Sequence, residues 1–267
     1  MKLKQLEGLL GTIEQFSNPK VELEQYPTGS HIASRLVYMA ESTFGDIDGK
    51  VVADFGCGCG TLGIASALVG AEHIIGVDVD SHSLEIASLN AENLELDINF
   101  IQCDVKKLSL RERFVDTVVM NPPFGTRKKG ADMEFLLVAF KVAPQAIYSL
   151  HKTSTREHVK RAALRDFNAT NAEVICEGWF GTGPAFSGFV RQANSSFIQE
   201  EAPYPGWLTD KSLWAFPTDF VCARSLRTVT MMGGRDNGPN SLEKCKNDKV
   251  LQVRRLVSAE SGHEASA

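Results

Sequence analysis

Between Val51-Val52-Ala53, a short β-branched run, and Thr61 to Val69, a stretch of helical periodicity, the chain places Asp54-Phe55-Gly56-Cys57-Gly58-Cys59-Gly60. Three alternating glycines at a strand-to-helix junction permit positive φ and let the backbone approach a ligand closely. The helix that follows begins with unpaired N–H groups. Gly58-x-Gly60-x-x-Gly63 also fits the dinucleotide fingerprint, with Asp78 near the spacing of a ribose-binding acid. A junction of this kind belongs to a sheet whose strands are joined by helices.

The rest of the chain agrees with that assignment. Val51 to Ala53, His73 to Val77, Ile98 to Ile101, Phe114 to Met120 and Ala146 to Leu150 read as strands, and Thr61 to Val69, Ser81 to Leu94, Met133 to Val142 and Thr155 to Phe167 as helices. Near-continuous apolar strands alternating with helices predict a parallel sheet covered on both faces. Its ligand is expected beyond the carboxyl ends of the strands. Ahead of the sheet, Leu3, Leu6, Leu9, Leu10 and Ile13 predict an amphipathic helix over residues 1–16 that ends at Ser17-Asn18-Pro19. Pro27 holds Tyr26 extended, so Glu24 to Gly29 is a loop, and a helix follows from Ile32 to about Thr43. After Glu177 the alternation stops: residues 178–220 hold 10 of the 22 aromatics, among Gly and Pro, and a late strand is expected within Phe220 to Met232. The chain thus divides into N-terminal helices with a covering loop (1–45), the α/β domain (46–177), an aromatic, Gly- and Pro-rich segment (178–232) and a polar tail expected to be disordered (233–267).

No apolar run reaches the roughly 18 residues of a membrane span, and Met1 to Leu6 lack the continuous apolar core of a secretory signal, so a soluble chain of the cytosol or nucleus, with no membrane partner, is expected. The six cysteines form no C-x-x-C pair, which argues against zinc and for reduced thiols; no metal is expected. The net charge of −5 disfavours a polyanionic ligand until it is resolved along the chain. Residues 1–126 hold 9 basic against 18 acidic side chains, whereas residues 127–165 hold 9 against 3.

Charge also separates the cofactors that suit the glycine loop. A dinucleotide would bring its anionic pyrophosphate beside Asp54, whereas S-adenosyl-L-methionine brings an ammonium and a sulfonium, which an acidic residue suits. Asp78, ending the second strand, can accept both ribose hydroxyls, since Asp80 and Ser81 are available to cap the next helix. Asp104 can accept from an adenine amine while the Val105 backbone reads the ring edge. After the fourth strand comes Asn121-Pro122-Pro123-Phe124-Gly125. Two prolines lock φ and remove two donors, leaving the Asn121 oxygen and the Pro122 carbonyl as rigid acceptors for an exocyclic NH₂. Two hydrogen bonds accepted from such an amine draw its lone pair out of conjugation, and Phe124 offers a π face for the base. A base paired in a duplex cannot reach such a pocket, so the target is single-stranded or flipped out. The basic residues Arg127-Lys128-Lys129, His151-Lys152, Arg156, His158, Lys160 and Arg161 follow on the expected rim, where phosphates would sit.

Glu24-Gln25-Tyr26-Pro27-Thr28, Asp54 to Gly60, Gln102-Cys103-Asp104, Asn121 to Thr126 and Tyr148 to His158 together resemble the methyltransferase-like protein 5 family, in order, over residues 1–177. The resemblance implies a Rossmann-like class I S-adenosylmethionine-dependent methyltransferase fold and transfer of a methyl group to N6 of an adenosine in small-subunit (18S) ribosomal RNA. It implies cofactor contacts from Gln25, Thr28, Gly56, Cys59, Thr61, Asp78, Asp104, Val105 and Asn121, and catalysis by Asn121, Pro122, Pro123 and Phe124. A small zinc-binding activator subunit and nuclear, nucleolar and cytoplasmic residence are implied as well. From Gly178 onward the family's basic loop and final strand are not recognisable, so the C-terminal end is divergent, or incomplete with the sheet short of its last strand. Two other functions fit parts of the pattern. A protein glutamine-N5 methyltransferase presents the same NH₂ to Asn-Pro-Pro-aromatic but leaves the basic stretch unused. A catalytically impaired isoform would bind only cofactor or partner.

Overall fold

In the computed structural model the glycine junction lies in a seven-stranded sheet with helices on both faces; the structure describes residues 1–110, 114–143, 145–180 and 216–224. The strands are β1 (Val51–Phe55), β2 (His73–Asp78), β3 (Asn99–Gln102), β4 (Thr117–Met120), β5 (Ala146–Lys152), β6 (Asn171–Phe180) and β7 (Phe216–Arg224). The helices are α1 (Leu3–Leu10), α2 (Ser30–Phe44), α3 (Thr61–Val69), α4 (Ser81–Asn93), α5 (Ala131–Val142) and α6 (Arg156–Arg165). The spatial order is β3-β2-β1-β4-β5-β7-β6. Strands β1 to β5 are parallel, and β7 runs antiparallel between β5 and β6. This is the Rossmann-like arrangement with an antiparallel C-terminal hairpin.

The expected elements lie where periodicity puts them, with three differences. Helix α1 stops at Leu10, because Gly8 and Gly11 weaken its last turn, although Ile13 still packs on the core. Phe114 and Val115 are buried without joining the ladder, so β4 begins only at Thr117. The late strand lies at Phe216–Arg224, earlier than Phe220 to Met232, and the sheet is not short of its last strand. Backbone pairing makes that ladder, which is how a segment without a familiar motif completes the sheet. The rest of the 178–232 segment beyond Phe180, and the 233–267 tail, lie outside the described residues.

Two apolar layers sandwich the sheet. One joins Leu6 and Leu10 of α1, Ala33, Leu36 and Val37 of α2 and Ile64 of α3 to Val52, Ile74 and Tyr148. The other joins Leu136 and Ala139 of α5 and Val159 of α6 to Phe55, Val77, Val118 and Met120. Leu6 and Leu36 are at most 1% exposed, and burial of each contributes about 1.5–3 kcal/mol. At the amino ends of the strands, buried Asp46 accepts from Tyr148 Oη (2.5 Å) and Gln145 Nε2 (2.8 Å). That end is closed, and the open end is where the strands finish.

Candidate active site

Register aligns the loops that matter. Phe55 of β1 pairs with Val77 of β2 and Met120 of β4, and Asp78 pairs with Gln102 of β3. Gly56, Asp78, Cys103 and Asn121 therefore leave the sheet at one level, around the point where strand order reverses. They surround a cavity of about 280 Å³ that Gln25, Thr28, Gly56, Cys59, Thr61, Asp78, Asp104, Val105, Asn121, Pro122 and Pro123 all line.

The glycines are required by geometry at the floor. Gly56 and Gly58 have φ of 67° and 52°. A Cβ on Gly58 would meet the Phe16 ring at 2.8 Å, and one on Gly56 would meet Phe135 at 3.1 Å. The Asp78 carboxylate holds the loop in place by accepting from Gly58 N (2.8 Å) and, with its other oxygen, from Asp80 N (2.9 Å). Asp80 caps α4, accepting from His82 N. Burial pushes Asp78 above the usual carboxylate range against these hydrogen bonds. Cys57 and Cys59 are thiols here: burial raises Cys57 and takes Cys59 up to about 12.

Asp54, expected at the mouth of the loop, does not line the cavity. It lies 1% exposed beneath it, where Oδ2 accepts from Gly63 N at 2.7 Å and ties β1 to the first turn of α3. Burial, only partly offset by that hydrogen bond, lifts it to about 7. It lies within β1, which is covered on both sides, so its side chain turns inward. Its charge reaches a ligand through the loop and not by contact.

The N-terminal loop closes the cavity from above by two clamps. In the first, Gln25 Nε2 donates to Asp80 Oδ2 (2.7 Å) and Ser83 Oγ (3.1 Å), while its Oε1 accepts from Lys20 N (2.7 Å). The Gln25 side chain thus anchors the loop, and the residue also lines the cavity where a cofactor contact is expected of it. Burial would raise Asp80, but Lys20, Gln25 and Ser83 outweigh it and hold this carboxylate at about 2. In the second clamp, Glu24, left-handed at φ 52° and buried, accepts from Arg127 N (2.7 Å) and Thr126 N (3.2 Å). Burial opposes ionisation of Glu24, yet these backbone donors keep it below the usual carboxylate range. Sequence reading missed Glu24; a lone acid beside Gln25-Tyr26-Pro27 carries no signal that its partner lies a hundred residues away.

The loop after β4 is the chemical centre. Asn121 Nδ2 donates to the buried Thr28 Oγ1 at 3.0 Å, which fixes the amide plane. Asn121 Oδ1 is then left buried without a partner. Phe124 does not line the cavity: its ring stacks on Tyr26 with centroids 6.3 Å apart at 16°, and Lys152 Nζ lies 6.0 Å from its centroid. The face expected for a base is occupied by Tyr26, a residue that is itself 37% exposed.

The basic rim is present in part. Arg127, Lys128 and Lys129 are exposed beside the cavity, with Lys128 paired to Glu134 at 2.8 Å. His151 is not on the rim. It is 1% exposed, with Nε2 2.9 Å from Ser149 Oγ and Nδ1 3.4 Å from Asp132 Oδ2, linking β5 to the first turn of α5. Among the described residues no group of His, Cys, Asp and Glu is arranged to hold a metal.

Comparison with known proteins places this geometry among methyltransferases. Residues 32–153 match the methyltransferase small domain family. The chain is 49% identical over 181 residues to an rRNA N6-adenosine-methyltransferase METTL5 of Danio rerio, covering 66% of this chain and 86% of that protein. It is 45% identical over 168 residues to the corresponding Drosophila melanogaster protein, covering 61% and 79%. Among solved structures, a putative RNA methyltransferase from Pyrococcus horikoshii superposes with a TM-score of 0.65 at 30% identity, covering 84% of this chain and 98% of that one.

Proposed function

The chain belongs to the METTL5 family of rRNA N6-adenosine methyltransferases, and from that premise we propose that it methylates N6 of one adenosine in 18S small-subunit ribosomal RNA, presented single-stranded or flipped out. The observation that carries the reading is Asn121: a cavity-lining residue whose amide is pinned by Thr28 and whose oxygen is buried and unpartnered.

The residues fit S-adenosyl-L-methionine. Gly56 and Gly58 form a cradle that a side chain would fill, and Asp78 and Asp104 line the same cavity with acceptors for a nucleoside. When bound, the cofactor supplies an electrophilic methyl group on a sulfonium. Asp78 would hold the ribose hydroxyls, Asp104 and the Val105 backbone the adenine edge, and Gly56, Cys59 and Thr61 the amino-acid end. Gln25 and Thr28 act through the loops they fix. Asn121 Oδ1 and the Pro122 carbonyl accept from the target amine, turn its lone pair toward the cavity and stabilise positive charge as it develops on nitrogen. The amine's proton then passes to water, so no strong base is needed. The exposed Tyr26, stacked on Phe124, supplies aromatic surface for the base, and Arg127 and Lys129 meet its flanking phosphates.

We also assign, on the resemblance of the five motifs, a small zinc-binding activator subunit as partner. Nuclear, nucleolar and cytoplasmic residence is proposed on the same resemblance. No helix among the described residues is long and apolar enough to cross a membrane.

The test is transfer of labelled methyl groups to small-subunit RNA with the activator present, followed by nucleoside analysis. N6-methyladenosine is the expected product. Label appearing only on a peptide glutamine would replace the RNA reading with the glutamine-N5 one.

Two raised carboxylates make cofactor binding pH-dependent. Asp54 stands near 7, against an ordinary 3.8, and Asp78 is also raised, both by burial. The fold thus favours the neutral form of Asp54: its contribution to stability is full below the unfolded value and declines as pH rises toward 7. A cation above the loop favours both ionised forms, so cofactor affinity should rise between about pH 6 and pH 8, with proton release on binding. Titration calorimetry in two buffers of different ionisation enthalpy measures this. Flat affinity with no proton release would mean that both groups are already ionised in the free protein.

A further inference from the structure

The cavity holds a second unpartnered acceptor that the reading above does not use. Gln15 lies beyond the end of α1, in a segment fixed to α4 by Glu14 N donating to Asn90 Oδ1 (2.7 Å) and Asn90 Nδ2 donating to Glu14 O (2.9 Å). Its own Nε2 donates to Thr61 Oγ1 at 3.3 Å, which orients the amide. Oε1 is left buried with no partner, in a residue that lines the cavity. Buried acceptors are rarely left unsatisfied, because the lost hydration is not replaced. One retained at the wall of a ligand cavity is an acceptor for a donor on the ligand.

The order of the strands identifies that donor. Asp104 follows β3, Asp78 ends β2, Thr61 follows the loop after β1, and Asn121 follows β4. An extended nucleoside-linked amino acid laid across these ends places its base at Asp104 and its ribose at Asp78. The Asn121 oxygen faces the incoming amine. Gln15 is bonded to Thr61, at the β1 position, where the amino-acid end lies. Of the donors on such a cofactor, the base amine and the ribose hydroxyls are already matched, and the ammonium remains. A fixed amide oxygen suits an ammonium, since hydrogen bonds from an ionised donor are the stronger kind.

We propose that Gln15 is a further cofactor-binding residue, its Oε1 accepting a hydrogen bond from the ammonium at the amino-acid end of S-adenosylmethionine. The inference rests on the cofactor reading given above. Nothing in the sequence marks Gln15: it sits outside every motif, at a position where the helical pattern predicted only the end of an amphipathic helix.

The test is calorimetric affinity of the full chain for three probes. These are S-adenosylmethionine, its decarboxylated form, which keeps the amine, and 5′-methylthioadenosine, which lacks the whole amino-acid end. Gln15→Leu should weaken the first two by roughly 10- to 100-fold, the range of a hydrogen bond to a charged group, and leave the third unchanged. Gln15→Glu, which keeps an acceptor, should bind S-adenosylmethionine at least as tightly as wild type. The ligand-free melting temperature of Gln15→Leu should fall little, because the oxygen has no partner there and only the 3.3 Å hydrogen bond to Thr61 is lost. Wild-type affinity in Gln15→Leu overturns the proposal, as does a penalty shared by methylthioadenosine, which would put the acceptor on the nucleoside. A penalty that vanishes with the decarboxylated probe also overturns it, by assigning the contact to the carboxylate. Should the wild-type chain bind none of the probes, the cofactor reading itself falls and takes this proposal with it.

Discussion

Asn121→Ala should lower the turnover number of methyl transfer by about 10²- to 10³-fold, the range seen when one preorganised group at a reacting centre is removed. The loss should fall on kcat and not on the KM for RNA, because the amide oxygen acts on charge that develops only as the amine reacts. The structure supports that division. Asn121 lines the cavity and is held by Thr28 at 3.0 Å through its nitrogen, so its amide is oriented, with the oxygen unpartnered, before any substrate arrives. Any fall in stability should be small, confined to the single hydrogen bond that Thr28 loses, since the oxygen itself bonds nothing in the ligand-free protein. Single-turnover kinetics with labelled cofactor measure the effect. Retention of wild-type kcat by the alanine variant would remove Asn121 from the chemistry.

Glu24→Ala should have the second-largest effect, and by a different route. Its carboxylate satisfies the backbone N–H groups of Thr126 and Arg127, at 3.2 and 2.7 Å, immediately after Asn-Pro-Pro-Phe-Gly. Loss of a charged acceptor from these part-buried donors costs about 1–3 kcal/mol, and a loop displaced by about 1 Å costs roughly 10²-fold in rate. We expect a lower melting temperature together with a fall of roughly 10²-fold in kcat/KM, and partial recovery with Glu24→Gln, which keeps one accepting oxygen. Because its native value lies below the ordinary 4.5, the Glu24 contribution to stability is present above that pH and is lost as pH falls through the native value. A melting temperature that drops while kcat/KM stays at the wild-type level would show that the clamp serves the fold alone.

The strands and helices were legible because their period is written in adjacent residues. Val51 to Ala53 and Thr61 to Val69 announce a strand and a helix without reference to anything distant. The glycine loop and Asn121-Pro122-Pro123 were equally legible, since they are local devices: positive φ, missing donors and a fixed turn. Side-chain duties that depend on remote partners were not. Gln25 faces Asp80 and Ser83, 55 and 58 positions on, and Glu24 faces the loop after β4. Asp54 was read as a mouth residue because its neighbours in sequence are at the mouth, whereas a strand buried on both faces sends its side chain inward. Phe124 was read as an open π face because Tyr26, which stacks on it, lies nearly a hundred residues earlier.

The position of β7 has a consequence for how the molecule is made. The last described strand in the sequence does not extend the sheet at its margin; it lies between β5 and β6. A growing chain that has emerged only as far as Phe180 can pair β1 to β5, but β6 then has no neighbour to join, and β5 keeps an open edge. Both vacancies close in one event, when Phe216–Arg224 inserts and pairs with Ala146–Lys152 on one side and Asn171–Phe180 on the other. Completion of the sheet is therefore a late, long-range step, slow by the measure of sequence separation. Until it occurs, β5 and β6 carry unpaired backbone groups through which nascent chains can associate. The cavity, by contrast, draws on nothing beyond Phe135, so the catalytic end can be assembled on a molecule whose opposite margin is still unfinished.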